Sequence, residues 1–379
     1  MTAAPTTVPG KIPFLDLGAT YRELKPALDA AFARVMESGW YIHGAEVAAF
    51  EAELAAHTGV AHAVGVGNGL DALELVLQAL DVGAGDEVLV PSHTFIATWL
   101  AVSAVGAKPV PVEVRLATGN LNPAEIAAAI TPRTKALIAV DLYGQPAEWE
   151  VIAATCRERG LVLIEDAAQA HGATLQGRRA GSFAHAAAFS FYPGKNLGAY
   201  GDAGAVTTDD ANLAERVRLL GNYGSRRKYH HDELGRNSRL DELQAALLRE
   251  RLRVLEEWNA RRAALATRYL AGLANLPGLS LPSVIDGAQP VWHLFVVRHP
   301  RRDELLRLLA EAGIGTLVHY PVPPHRAGAY RGYEWPALPI ADELAATVLS
   351  LPIGPHLSSA DGERVIEAVR RAVLQLASE

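Results

Sequence analysis

Ala63-Val64-Gly65-Val66-Gly67-Asn68-Gly69-Leu70-Asp71-Ala72-Leu73 reads as a short apolar strand, a glycine turn and the opening of a helix. The chain then repeats that figure. Residues 87–90, 109–114, 136–140 and 161–164 read as strands. Residues 96–105, 123–130 and 148–159, lying between them, read as helices. Alternation of this kind implies an α/β fold, a mostly parallel sheet with helices on both faces. Two later strands, 186–191 and 204–208, lie too close for a crossover helix. They are expected to pair antiparallel or as neighbours in a mixed sheet. Upstream, 21–38 and 46–57 have helical spacing and end at Gly39 and Gly59. Beyond Leu240 the composition shifts. A long helix is expected over 241–270, then a Pro/Gly stretch, a strand at 293–297, a helix at 303–312 and two further helical segments. The expected division is a large α/β domain with an N-terminal arm, residues 1–240, and a linking helix with a smaller C-terminal α+β domain, residues 241–379.

Bulk properties narrow the function classes. A chain of 379 residues exceeds what one core usually holds. With 50% hydrophobic and 20% charged residues it suits a soluble globular protein. Its net charge of -7 argues against nucleic-acid affinity. The single cysteine, Cys156, excludes an intramolecular disulfide framework, fits a reducing cytosol and is expected to be buried. Met1 to Pro13 has three prolines and no long apolar run, so it reads as an extended arm rather than a signal peptide. Residues 88–107 lack Asp, Glu, Lys and Arg, but Pro91-Ser92-His93-Thr94 interrupts them, which leaves no membrane span. The thirteen histidines form no metal-binding pattern.

The chemistry concentrates at strand ends. Lys195 stands in Phe189-Ser190-Phe191-Tyr192-Pro193-Gly194-Lys195-Asn196, where an apolar strand runs into a rigid Pro-Gly corner. Asp166 ends the strand Leu161-Val162-Leu163-Ile164-Glu165-Asp166. A lysine that forms an imine and an acid that pairs with a pyridinium nitrogen are the parts needed for pyridoxal phosphate. Two adjacent acids capping a strand are ordinarily solvated, so Glu165-Asp166 gains weight only beside Lys195. The glycine turn at 65–69 lets backbone amides approach a phosphate at a helix N-terminus. A dinucleotide fingerprint would place glycine where Leu70 stands, so a nicotinamide site is disfavoured. A phosphate site and a merely tight turn both fit the turn locally. Phe95, after a strand, suits either stacking on a planar ring or the core. The basic run Ser225-Arg226-Arg227-Lys228-Tyr229-His230-His231 suits either a solvated face or a diphosphate substrate.

Taken in order, these motifs resemble the DegT/DnrJ/StrS-type nucleotide-sugar aminotransferases, pyridoxal-phosphate enzymes of fold type I. The resemblance runs from Pro13-Phe14-Leu15-Asp16-Leu17 through Ser38-Gly39-Trp40-Tyr41 to His319-Tyr320-Pro321 and Leu349-Ser350-Leu351-Pro352. It implies that Lys195 carries the cofactor, Asp166 faces its ring nitrogen, Phe95 stacks on the ring and Gln169 lies near its phenolic oxygen. It implies that Gly69, Leu70 and Ser190 hold the phosphate. Asn237 matches an asparagine that members donate across a dimer interface to the neighbouring phosphate, which implies a homodimer with shared active sites. Tyr192, Lys228, His319 and Tyr320 become candidates for contacting the nucleotide-sugar.

By the same resemblance the cofactor is pyridoxal 5'-phosphate, cycling through its pyridoxamine form, the amino donor is L-glutamate and the setting is cytoplasmic. The run Tyr192 to Ala199, with Gly201-Asp202, the Gly-Ser-Arg-x-Lys-Tyr form at 224–229 and the Asn-Ser-Arg-Leu-Asp-Glu-Leu-Gln run from Asn237, resembles the subgroup that aminates carbon 3 of dTDP-linked 3-keto-6-deoxyhexoses. Tyr200 departs from the small or aliphatic residue expected there. Rival readings are the same chemistry at carbon 4 or on an inosose, and a non-catalytic cofactor-binding regulator. A dehydratase is disfavoured, because such relatives place histidine where this chain has Lys195.

Overall fold

A computed structural model of the chain describes residues 10–227 and 229–379. Seven strands form the central sheet: β1 (His62–Val66), β2 (Glu87–Pro91), β3 (Lys108–Val112), β4 (Thr134–Val140), β5 (Val162–Asp166), β6 (Ala186–Ser190) and β7 (Gly204–Thr208). Their order is β1-β7-β6-β5-β4-β2-β3. From β6 to β3 the strands are parallel, and β7 runs antiparallel to both β6 and β1. The mostly parallel sheet and the β6–β7 antiparallel pair are as the sequence implies.

Strand periodicity explains why both faces are covered. Val88 and Val90, Ala136 and Ile138, and Ile164 pack in one cluster with the helix Gly69–Ala79. The alternate residues Leu89, Leu137, Ala139 and Leu163 pack in a second cluster with Trp149, Ile152 and Cys156. Successive side chains on a strand point to opposite faces, so continuously apolar strands must be buried on both. The charge-poor stretch 88–107 resolves into β2, a polar turn and the helix Ala97–Ala104. Among the described residues no helix is long and apolar enough to cross a membrane.

The expected long helix over 241–270 is a correction: it is two helices, Glu242–Leu252 and Leu255–Gly272. The backbone leaves helical geometry at Val254, whose φ is -110° and ψ 2°. A further apolar cluster gathers Leu265, Tyr269, Phe295, Leu305, Leu349 and Val369, and Ile12 from the N-terminal side joins it. Ile12 pairs with Ile314 as a β-bridge. The sequence reading missed one strand here, Val348–Leu351, which runs antiparallel to Phe295–Arg298.

Register decides where the chemistry gathers. Val66 lies opposite Gly204, Gly204 opposite Ser190, Asp166 opposite Ala188 and Val140 opposite Asp166. β1 runs in the same direction as β6, so the carboxyl ends of β1, β2, β4, β5 and β6 share one edge. In open α/β sheets ligands bind outside that edge.

Candidate active site

Lys195 is held by its own loop. Its backbone N–H donates to the Tyr192 carbonyl at 2.8 Å, and Ala199 N–H closes back on the Phe191 carbonyl at 2.7 Å. A Cβ on Gly198 would lie 2.5 Å from the Pro193 carbonyl oxygen, so the loop closes this tightly only with glycine there. Buried Asn196 donates to Asn259 and to the Val291 carbonyl, both at 2.9 Å, and fixes the loop against the helix Leu255–Gly272. Lys195 is partly buried, and desolvation brings its amine down to about 8, against a smaller upward pull from Asp166.

Asp166 is buried at the end of β5. Its carboxylate accepts from the Thr98 hydroxyl at 2.9 Å and from Ala168 N–H at 3.2 Å. Burial raises its pKa, while Thr98, Ala168 and the Lys195 charge pull it down. Thr98 is in turn bonded to Thr94 at 3.0 Å. The sequence reading missed Thr98, although Thr94 and Thr98 have the spacing of one helical turn. Glu165 is not solvated as adjacent strand-end acids usually are. It is fully buried on the other face of β5, where it accepts from Gly181 N–H and Phe183 N–H. There it meets buried Asp141, whose Oδ1 accepts from Ala147 N–H and Trp149 Nε1, both at 2.8 Å. Burial and the Glu165 charge raise the Asp141 pKa well above its usual value, and burial raises Glu165 to about 7.

The glycine turn opens the helix Gly69–Ala79, capped by the Asn68 side chain, which accepts from Asp71 N–H at 2.9 Å. A Cβ on Gly69 would lie 2.6 Å from the Ser190 Cβ. Gly69 therefore exists to let a helix N-terminus, with its positive dipole end, sit directly against the Ser190 hydroxyl. A phosphate fits this cradle, and with Asp166 and Lys195 on the same edge the residues present fit pyridoxal phosphate. Ser238 bonds Gly67 N–H at 3.0 Å, a contact the sequence reading did not anticipate.

Phe95 is 52% exposed, so it is not a core residue. Its ring lies 5.5 Å from that of Tyr320. Gln169 is buried; its Oε1 accepts from Tyr143 N–H at 2.7 Å, and its Nε2 donates to Tyr320 Oη at 2.9 Å. His319 is bonded to Ser350 Oγ at 2.8 Å, and burial followed by the Lys195 charge lowers its pKa to about 4. Tyr192 is exposed. Asn237 is exposed too, with its backbone paired to Asn222. Lys228 lies outside the described residues. Tyr200 stands under the buried Arg251 guanidinium, 5.5 Å from its ring centre, and edge-on to Tyr21. Among the described residues no group of three or more His, Cys, Asp or Glu is placed to hold a metal ion.

A profile of the DegT/DnrJ/EryC1/StrS aminotransferase family matches residues 23–370. A Streptomyces venezuelae protein named dTDP-3-amino-3,4,6-trideoxy-alpha-D-glucose transaminase is 57% identical over 362 residues, covering 95% of this chain and 96% of that one. The crystal structure of S. venezuelae DesV superposes with a TM-score of 0.94 at 57% identity, covering 96% and 98% of the two chains. NtdA from Bacillus subtilis, solved with bound cofactor PMP, superposes with a TM-score of 0.90 at 31% identity, covering 97% and 86%.

Proposed function

The chain belongs to the DegT/DnrJ/EryC1/StrS aminotransferase family, and from that premise we propose that it moves an amino group from L-glutamate to carbon 3 of a dTDP-linked 3-keto-6-deoxyhexose. It is a pyridoxal-phosphate-dependent transaminase. The observation that carries the carbon-3 reading is the 57% identity, along 95% of the chain, to a transaminase whose name specifies a 3-amino dTDP-sugar.

When bound, pyridoxal phosphate supplies an electron sink beside the reacting nitrogen. Lys195 takes the proton from the donor's α-carbon at Nζ and returns it on the other side of the exchange. An amine lowered to about 8 has a usable neutral fraction at neutral pH. Asp166, its carboxylate oriented by Thr98 and Ala168, would pair with the ring nitrogen and keep it protonated. Gly69, Leu70 and Ser190 would hold the phosphate, and the exposed Phe95 would stack on the cofactor ring. Asn237 completes the phosphate site of a second copy, which makes the working unit a homodimer. Its exposure in the single chain suits that role. Tyr192, His319 and Tyr320 face the sugar, the division near residue 240 separates two domains, and the enzyme acts in the cytoplasm.

The test is a panel of dTDP-keto-sugars with glutamate. Turnover of 3-keto-6-deoxyhexoses is expected, and turnover confined to 4-keto substrates would replace this reading with its carbon-4 rival.

A further inference from the structure

Tyr143 was not singled out in the sequence, yet two chains of hydrogen bonds meet on it. In the first, its backbone N–H, which can only donate, reaches Gln169 Oε1 at 2.7 Å. That fixes the amide, so Nε2 is the end that meets Tyr320 Oη at 2.9 Å. Nε2 only donates, so the Tyr320 oxygen accepts. The single phenolic proton of Tyr320 is then left for another partner. Burial raises the Tyr320 pKa, so that proton stays in place at working pH. In the second chain, Tyr143 Oη donates to the His319 carbonyl, which can only accept. It must therefore accept from His93 Nε2 at 2.8 Å. His93 is buried and its pKa is lowered to about 4, so it stays in the neutral Nε2–H form.

The backbone holds this hub in a conformation that disfavours rearrangement. Tyr143 has φ +60° and Gly144 φ +96°. A Cβ on Gly144 would lie 2.8 Å from His293 N and 3.0 Å from the Gln169 carbonyl oxygen. Val291 N–H and Leu294 N–H donate to the Gly144 and Tyr143 carbonyls at 2.9 and 3.2 Å. The turn after β4 is thus pinned between the loop after β5 and residues 291–294. Positive φ at a tyrosine costs energy that such surroundings must hold in place.

We infer that Tyr143 is a positioning residue that locks the His319–Tyr320 segment to the turn after β4 and leaves the Tyr320 hydroxyl as a hydrogen-bond donor to an oxygen of the acceptor sugar. The sugar half of this inference rests on the function proposed above; the positioning half does not. Tyr143→Phe keeps the backbone N–H, and so keeps the Gln169 orientation, but releases the His319 carbonyl. Gln169→Glu still accepts from Tyr143 N–H, but its second carboxylate oxygen takes up the Tyr320 proton and removes the donor.

The experiment uses the cofactor-loaded enzyme and two readouts. Hydrogen–deuterium exchange is expected to rise in Tyr143→Phe at residues 317–320 and around His93, whose Nε2 loses its acceptor, without a rise elsewhere, and to stay unchanged at 317–320 in Gln169→Glu. The KM for the dTDP-3-keto-sugar is expected to rise about ten-fold in both variants, with the glutamate half-reaction of Tyr143→Phe within about two-fold of wild type. Exchange that is unchanged at 317–320, or raised throughout the molecule, overturns the positioning role. Equal losses in both half-reactions of Tyr143→Phe, or an unchanged keto-sugar KM in Gln169→Glu, overturn the donor role. A wild-type enzyme that ignores the keto-sugar overturns the proposed substrate, and with it the donor role, while the exchange result still decides the positioning role.

Discussion

In the proposed function Lys195 is the residue on which the chemistry turns, and its surroundings set its proton affinity. Desolvation brings its amine to about 8, from an ordinary lysine value of 10.5. Only the neutral amine attacks an aldehyde. The rate at which the cofactor-free enzyme captures pyridoxal phosphate should therefore rise with pH and level off through a midpoint near 8, read by stopped-flow absorbance. A midpoint near 10.5 would mean that the loop leaves Lys195 as water would. At this scale the sequence was most legible in where the candidate residues fall. Asp166 ends β5 and Lys195 lies in the loop that follows β6, as their apolar approach strands imply. Thr98 and Tyr143 were not legible, because their roles depend on partners 68 and 26 residues away. Only the fold brings such residues together.

At the scale of elements, one helix start and two strand ends build the site. The N-terminus of the helix Gly69–Ala79 approaches Ser190 closely enough to exclude any side chain at 69. Gly69→Ala should therefore push the helix away from Ser190, lower the thermal midpoint and weaken cofactor affinity at least about ten-fold, measured by equilibrium dialysis. The glycines of that turn were legible. Their reason, a close approach to a strand 121 residues later, was not. The ends of β4 and β5 carry the buried Asp141–Glu165 pair. Folding raises the Asp141 pKa, so the folded state holds a proton that the unfolded chain releases from about pH 4 upward. Stability from this pair is thus present at low pH and declines as pH rises toward the folded value. Asp141→Asn keeps the Oδ1 acceptor and supplies an N–H toward Glu165 without a titrating proton. Thermal unfolding should show the variant gaining on wild type between pH 5 and pH 8. A gain that shrinks over that range would place the proton elsewhere. The break between the helices Glu242–Leu252 and Leu255–Gly272 was illegible because Arg253 and Val254 carry no breaker residue.

At the scale of the whole molecule, alternation of strand and helix made the parallel sheet legible. The position of β1, outside β7 rather than beside β2, was not, because local pattern does not encode strand order. The same holds for the second subunit. Asn237 is exposed in one chain and acts, in this account, on the other. Mixing Lys195→Ala chains with Asn237→Asp chains should restore activity to about a quarter of wild type, since half the dimers then hold one intact site. No recovery would place Asn237 in its own chain's site, and Asn237→Asp chains that are active unmixed would place it outside catalysis. The central claim is that Lys195 carries pyridoxal phosphate in a sugar transaminase. Borohydride reduction of the purified enzyme followed by peptide mapping tests it most directly. A stable pyridoxyl group on Lys195, absent after prior incubation with glutamate, is the expected result. A pyridoxyl group on another lysine, or one on Lys195 that glutamate fails to remove, would contradict it.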